Sequence, residues 1–372
     1  MSWLISVSVL SLLILVHEWG HFLVARCSGV RVLRFSIGFG PRLWGWKRGE
    51  TEYVLSLLPL GGYVKMAGEQ AEEQAHQAGE FLAQPIAVRA RIIAAGPIVN
   101  ALVSTVALWV VLVIGYPELL PTVGKLIDDM PAKAAGFEVG DRIRSVDGQP
   151  IRTWDELTKL VHRSPERPLA LQIDRPLDSA RGVAPGAPEV RRLSLTVTPK
   201  ARPSTDPFGR TKTVGLIGIV PRGDFEPYRV GPLQAVKETL QKELEWTAQI
   251  GLSLWALATG RVSAQESLTG PIGILYLTSE AARMGFGALL YLVSIFSLSL
   301  AVFNVFPIPI LDGGHLLFLV FEKIRGRPVS LKIQEQATKV SFALLLTLFV
   351  FICINDVQRL GVVDKVLDWW RN

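Results

Sequence analysis

Three side chains within five residues could do hydrolytic chemistry: His17, Glu18 and His21, in the run His17-Glu18-Trp19-Gly20-His21. Four residues apart on a helix, the two histidines project from nearly one face, as two imidazole ligands to one zinc ion require. Glu18 lies about 100° round from His17, close enough to reach a water on that metal and serve as general base. The setting narrows the reading further. Residues 3–25 form an apolar run about 34 Å long as a helix, enough to span a bilayer. Ionisable groups in such a segment are costly and mark function. The pattern is that of a metalloprotease centre at membrane depth.

Zinc in a hydrolase takes three protein ligands and leaves a fourth position open. The third should be a carboxylate or histidine from elsewhere, and Asp312 is the candidate. The run Asn304-Val305-Phe306-Pro307-Ile308-Pro309-Ile310-Leu311-Asp312-Gly313-Gly314 ends a later apolar segment with two prolines and an aspartate. Unpaired there, the aspartate would cost roughly 2.5–3.5 kcal/mol on insertion scales, and coordination to a cation removes that penalty. Pro307 and Pro309 break the helix and let the chain bend. Asp312 has a second reading as a helix-end aspartate capping a turn, and Asn304 as a hydrogen-bonding group between spans. Asn100 reads as structural, His315 as ordering its loop or supporting a ligand, and His76 and His162 as surface residues.

The rest of the chain must position these groups. Of its 372 residues 49% are hydrophobic and 19% charged, with mean hydropathy +0.33. That excludes an ordinary soluble enzyme, and equally a protein made only of spans. The expected fold class is a polytopic α-helical membrane protein with one β-rich extramembrane domain. The net charge is +6, but the basic residues flank apolar segments and form no nucleic-acid patch. Cys27 and Cys353 sit near the ends of different predicted helices, so neither a disulfide nor a cysteine zinc site is expected. The uncharged start, and an apolar run continuing through the histidine motif, predict a retained helix and not a cleaved signal peptide.

Four spans are predicted, at about 3–25, 92–115, 288–306 and 338–355. Arg26, Arg31, Arg34, Arg42, Lys47, Arg48, Arg89 and Arg91 separate the first two, and Lys323, Arg325, Arg327 and Lys332 the last two. The positive-inside rule makes both loops cytoplasmic. Both termini and residues 116–287 then face outward, with the histidine end of the first span toward the cytoplasm. The expected organisation is an N-terminal membrane domain at 1–115, an outer region at 116–230, an interfacial helix and connection at 231–287, a second membrane domain at 288–355 and an interfacial helix at 356–372. Residues 35–66 read either as short β-elements dipping into the bilayer or as a cytoplasmic hairpin. Residues 67–84 read as a polar surface connection. Residues 121–200 carry strand and turn signals, Asp147-Gly148 among them, and a helical stretch at 153–161. An insert at 177–188 reads as a hairpin tip. The apolar part of the 233–260 segment, 246–257, is short for a span and reads as interfacial. As a fifth span it would put the two halves of the metal site on opposite sides of the membrane.

His17-Glu18-x-x-His21 followed by the NVFPIPILDGG run resembles the site-2 protease family of intramembrane zinc metalloproteases (peptidase family M50), closest to its bacterial regulator-of-sigma-E type. Gly96-Pro97-Ile98-Val99-Asn100 resembles the family's GPxxN, residues 61–69 and 269–274 resemble its bacterial members, and 121–200 resembles their PDZ domain. The chain departs in carrying one such domain where that type often has two. The resemblance implies Zn2+ as cofactor, His17, His21 and Asp312 as its ligands, and Glu18 as the base. It also implies substrate-positioning roles for Asn304, Pro307, Pro309, Gly61, Gly62 and Tyr63. The implied partner is a single-pass membrane protein, such as an anti-sigma factor already trimmed by another protease, cut inside the bacterial inner membrane. The PDZ domain would act as a filter, by binding a new C-terminus or by steric exclusion. Remnant signal peptides are an alternative substrate for the same chemistry. A non-catalytic PDZ scaffold would predict a degraded centre, whereas all four central residues are present.

Overall fold

The protein is described by a computed structural model over residues 2–69, 77–177, 190–206, 209–263 and 269–359. His76, residues 178–188 of the expected insert and most of the expected C-terminal interfacial helix lie outside the described residues. The chain forms two compact units, one of Met1–Ile114, Gly231–Trp255 and Ser263–Asn372, the other of Gly115–Val230 and Ala256–Val262.

In the first unit, helix α1 (Ser2–Cys27) packs on α2 (Ile86–Ile114). They meet where side chains are smallest: a β-carbon on Gly20 would stand 2.6 Å from the carbonyl oxygen of Ala95. Small residues allow helices to approach this closely in lipid. On its other side α2 packs against α7 (Phe286–Val305), with Ser104, Ser294 and Ser297 fully buried. Helix α9 (Leu331–Arg359) exposes Val340, Phe342, Leu344 and Phe349, a surface suited to hydrocarbon. These four helices are long and apolar enough to cross a membrane. They make the chain a polytopic membrane protein.

Several elements differ from expectation. The loop between the last two spans contains a helix, α8 (Asp312–Arg325), whose Leu319 is buried while Lys323 and Arg325 occupy its last turn. Asp312 opens this helix; it does not close the preceding one. The last span runs on through Asp356, because that carboxylate is buried and satisfied: it accepts from the backbone N–H groups of Gly270 (3.1 Å) and Gly273 (2.9 Å). Those groups begin helix α6 (Pro271–Met284), which sequence patterning read only as a connection. Gly270 is needed there, since a β-carbon would lie 2.6 Å from the Asp356 carboxylate. The expected 233–260 segment forms one helix up to its last two residues, α5 (Pro232–Ala258), held to α2 where Thr105 donates to Glu243 (2.8 Å). It is not among the four long apolar helices. Residues 77–84 are not simply surface: Phe81 joins the buried cluster of Phe22, Ala25, Val30, Val32, Phe35, Met66 and Ile92, and Glu80 is buried beside it.

That cluster anchors a long hairpin of β1 (Val32–Arg48) and β2 (Thr51–Met66) to α1. Bulges fold each strand into two segments, so that 44–48, 52–55, 34–37 and 62–65 pair in that order. Segment 62–65 is thus an edge. The hairpin exposes Leu43, Trp44, Trp46, Leu57 and Leu58.

The second unit is built on an antiparallel sheet of β5 (Arg142–Val146), β6 (Gln149–Pro150), β7 (Leu169–Pro176) and β8 (Val190–Val197), in the order β6-β5-β7-β8. Asp147 and Gly148, at φ 48° and 79°, make the two-residue turn that their types predict. Helix α4 (Trp154–His162) starts with a capping box between Thr153 and Glu156. Its Leu157 and Val161 enter a core with Val123, Ile143, Leu171 and Ile173. The core also takes in Ile217, beyond the expected limit of 200, because β11 (Ile219–Pro221) pairs with β4 (Val123–Leu126). Burial alone would raise the pKa of Asp174, but hydrogen bonds from Arg144 and Arg192 hold its carboxyl below the ordinary range.

Candidate metal centre and active site

His17 and His21 lie in the fifth and sixth turns of α1, both buried, with their Nε2 atoms 3.1 Å apart. Asp312 Oδ2 completes a triangle, 3.1 Å from His17 Nε2 and 3.4 Å from His21 Nε2. It is the one group of three or more His, Cys, Asp or Glu side chains among the described residues with metal-binding geometry.

Helix α2 shapes the histidine side. Ile92, Gly96 and Asn100 recur every four residues and form one buried stripe facing α1. The Ile92 carbonyl accepts from His21 Nδ1 (2.9 Å). A carbonyl only accepts, so Nδ1 carries the proton and Nε2 offers a lone pair. Gly96 fits between the two rings: a β-carbon there would lie 2.3 Å from His21 Nε2 and 2.7 Å from His17 Cε1. Asn100 Nδ2 is 3.4 Å from His17 Nδ1, and the Asn100 carbonyl accepts from Ser297 of α7 at 2.7 Å.

The aspartate side depends on close backbone packing. The first turn of α8 sits on the 305–309 segment, where a β-carbon on Gly313 would be 2.1 Å from the Val305 carbonyl oxygen. One on Gly314 would be 2.3 Å from that of Ile308. Farther along α8, Glu322 forms a two-pronged ion pair with buried Arg89 of α2, one contact being 3.1 Å between Nη1 and Oε2. This pair fixes α8 against α2, the helix whose buried stripe packs on the histidines.

Glu18, half-buried, lies beside the hairpin edge. The Val64 backbone is in hydrogen-bonding reach of its carboxylate, and a β-carbon on Gly62 would lie 3.7 Å from Glu18 Cγ. Gly61 adopts φ 106° against Phe39, and Tyr63 stacks on Phe39 and accepts from Arg34 (3.3 Å). Asn304 is half-buried in the last turn of α7, and its side chain makes no hydrogen bond among the described residues. Pro307 is exposed, while the Pro309 carbonyl accepts from Thr338 (3.4 Å). His315 packs edge-on against Phe318, outside the ligand group. Sequence reasoning quoted Gly96 only inside a motif and missed the Ile92 carbonyl, Arg89 and Glu322. A glycine placed four residues from Asn100 was the available signal.

The donor set fits a tetrahedral zinc ion. Bonds of 2.0–2.1 Å put neighbouring ligand atoms about 3.3 Å apart, against 3.1, 3.1 and 3.4 Å here. The buried Asp312 Oδ2 finds no hydrogen-bond donor among the described residues, an orphaned acceptor that a cation would satisfy.

The family model described as peptidase family M50 matches residues 5–348. The chain belongs to that family. The regulator of sigma-E protease RseP of Escherichia coli is 33% identical, covering 94% of this chain and 97% of the relative. RseP of Salmonella typhimurium is 32% identical with 94% and 97% covered, and the zinc metalloprotease RasP of Geobacillus kaustophilus 29% with 94% and 96%. The Escherichia coli alignment runs over 459 positions, more than the 372 residues of this M50 peptidase. That relative therefore carries a segment with no counterpart here. The four apolar helices and these relatives fit a bacterial membrane protein.

Proposed function

We propose that this chain is a zinc metalloendopeptidase that cuts membrane-embedded segments of single-pass proteins, with His17, His21 and Asp312 as metal ligands and Glu18 as general base. The convergence of three ligand atoms beside a carboxylate, with His17, Glu18 and His21 on a helix apolar enough to span a membrane, carries the proposal. Zinc held by these residues would bring its water to a pKa of about 7 and polarise the scissile carbonyl. Glu18 takes the proton from the attacking water and returns it to the leaving amine.

A helical substrate hides its carbonyls in its own hydrogen bonds, so it must unwind locally before attack. Segment 62–65 offers it an edge: an extended substrate strand adds there by β-augmentation, within reach of Glu18. Gly61, Gly62 and Tyr63 shape that edge, and Asn304, Pro307 and Pro309, in the segment leading to Asp312, help position the substrate. Proline substitutions across 61–66 should then abolish cleavage, and unchanged cleavage would remove the strand from the mechanism.

The protein sits in the inner membrane with both termini and residues 116–230 outside the cytoplasm, following the basic residues in the two short loops. The 121–200 region acts as a PDZ-type filter that admits substrates only after another protease has trimmed them. Its four-stranded sheet, with α4 packed into the same core, supports that reading. An anti-sigma factor is the substrate that the regulator-of-sigma-E resemblance favours.

The test is co-expression with a tagged single-pass substrate already lacking its outer domain. Wild type should cleave it and Glu18→Gln should not. Equal cleavage by both would exclude Glu18 as the base.

A further inference from the structure

Asn100 is fully buried on α2, level with the metal ligands. Its side-chain nitrogen is 3.4 Å from His17 Nδ1, on the side of that ring away from Asp312. Its Oδ1 has no hydrogen-bond partner among the described residues. With Nδ2 facing the ring, a donor meets a ring nitrogen that should itself be a donor. If His17 binds a metal through Nε2, the proton of the neutral ring sits on Nδ1. A half-turn of the amide about its Cβ–Cγ bond exchanges oxygen and nitrogen within the same space, and the hydrogen-bond network decides between the two orientations. The exchanged amide turns the orphaned acceptor toward the Nδ1 proton, and a small rotation brings the two to hydrogen-bond length.

The neighbouring ligand has the same arrangement. His21 Nδ1 is already held at 2.9 Å by the Ile92 carbonyl. Ile92 and Asn100 lie either side of Gly96 on the α2 stripe, and Gly96 touches both rings. The stripe thus provides an acceptor for each histidine with a gap between them for the rings. Ser297 fixes the Asn100 backbone by donating to its carbonyl (2.7 Å), which limits how far the side chain can drift.

We infer that Asn100 is a positioning residue that accepts the Nδ1 proton of His17, so that Nε2 is held deprotonated and aimed at the metal. This rests on the proposed role of His17 as a ligand. Partners of this kind typically contribute 10–100-fold in metal affinity.

The test measures zinc affinity of the full-length, detergent-solubilised protein by chelator competition, together with the visible spectrum after cobalt(II) loading. Asn100→Leu, similar in size but without an acceptor, should bind zinc about 10–100-fold more weakly and distort the cobalt spectrum. Asn100→Asp, which keeps an acceptor at the same reach, should restore both. Wild-type affinity in Asn100→Leu would overturn the inference, as would equal losses in the Leu and Asp variants. Should neither variant fold, nitrogen-15 NMR of histidine-labelled, zinc-loaded wild type decides: His17 must show a protonated Nδ1 and a metal-bound Nε2, and the opposite tautomer overturns the inference. His17→Ala separates the two levels. If that variant binds zinc like wild type, the ligand assignment fails; if it loses zinc while Asn100→Leu does not, only the role of Asn100 fails.

Discussion

In α1 two side chains four residues apart bring their Nε2 atoms within 3.1 Å because the helix repeats. In residues 305–314 a single aspartate reaches the same point only after a helix end, two prolines and a turn whose glycines lie against backbone. The histidine half is local. Its spacing follows from 3.6 residues per turn, and α2 only has to leave room and supply acceptors. The aspartate half is built by contact order: α8 must seat on the 305–309 segment and on Arg89, more than two hundred residues away in the chain. A site with one preformed half and one assembled half should be more sensitive to crowding at the rings than to loss of distant anchors.

That contrast can be broken at several points. The largest effect is expected from Gly96→Ala, whose β-carbon would overlap both imidazoles. Bound zinc measured by elemental analysis should fall to background and cleavage should cease; retained zinc would show that the histidine half yields more than its packing suggests. Next comes Gly313→Ala, where the clash is with backbone and leaves the histidines untouched. Its zinc affinity should fall as far as that of Asp312→Ala and less far than that of Gly96→Ala. If Gly313→Ala binds like wild type, the aspartate half is not set by this packing.

The Arg89–Glu322 pair measures the distant anchor. Removing either partner leaves a buried charge and should cost about 3–5 kcal/mol of stability. The double variant Arg89→Gln/Glu322→Gln should recover much of that loss in a denaturant titration. Additive losses would mean that the two residues act separately.

The second unit supplies the smallest effects and a control. Thr153→Ala removes the capping box and should cost about 1 kcal/mol without changing zinc affinity. Asp174 gives the pH counterpart. Its pKa is lowered in the folded chain, so its contribution is full above the unfolded value of about 3.9 and is lost as pH falls through the lower folded value. Replacing it with Asn should flatten the acid limb of an unfolding profile and leave neutral stability reduced. An unchanged acid limb would remove the Arg144 and Arg192 contacts from the account.

The four apolar helices, the histidine pair, the Asp147-Gly148 turn and the strands of the second unit's sheet were legible in the sequence, because each depends on a short repeat or on residue types confined to a few positions. Helices α6 and α8 were not: an aspartate after an apolar run reads equally as an ending and a beginning, and the start of α6 is fixed by the distant Asp356 carboxylate. What lies beside the histidines was also hidden. That Ile92, Gly96 and Asn100 form one stripe is arithmetic. That the stripe faces His17 and His21, and not lipid, depends on how α1 and α2 cross. The chain by itself determined that two imidazoles and a carboxylate would share one turn of a membrane helix. Only the tertiary structure decided that Asp312 meets them and that Val64 lies beside Glu18, because those positions are set by backbone packing between segments far apart in the chain.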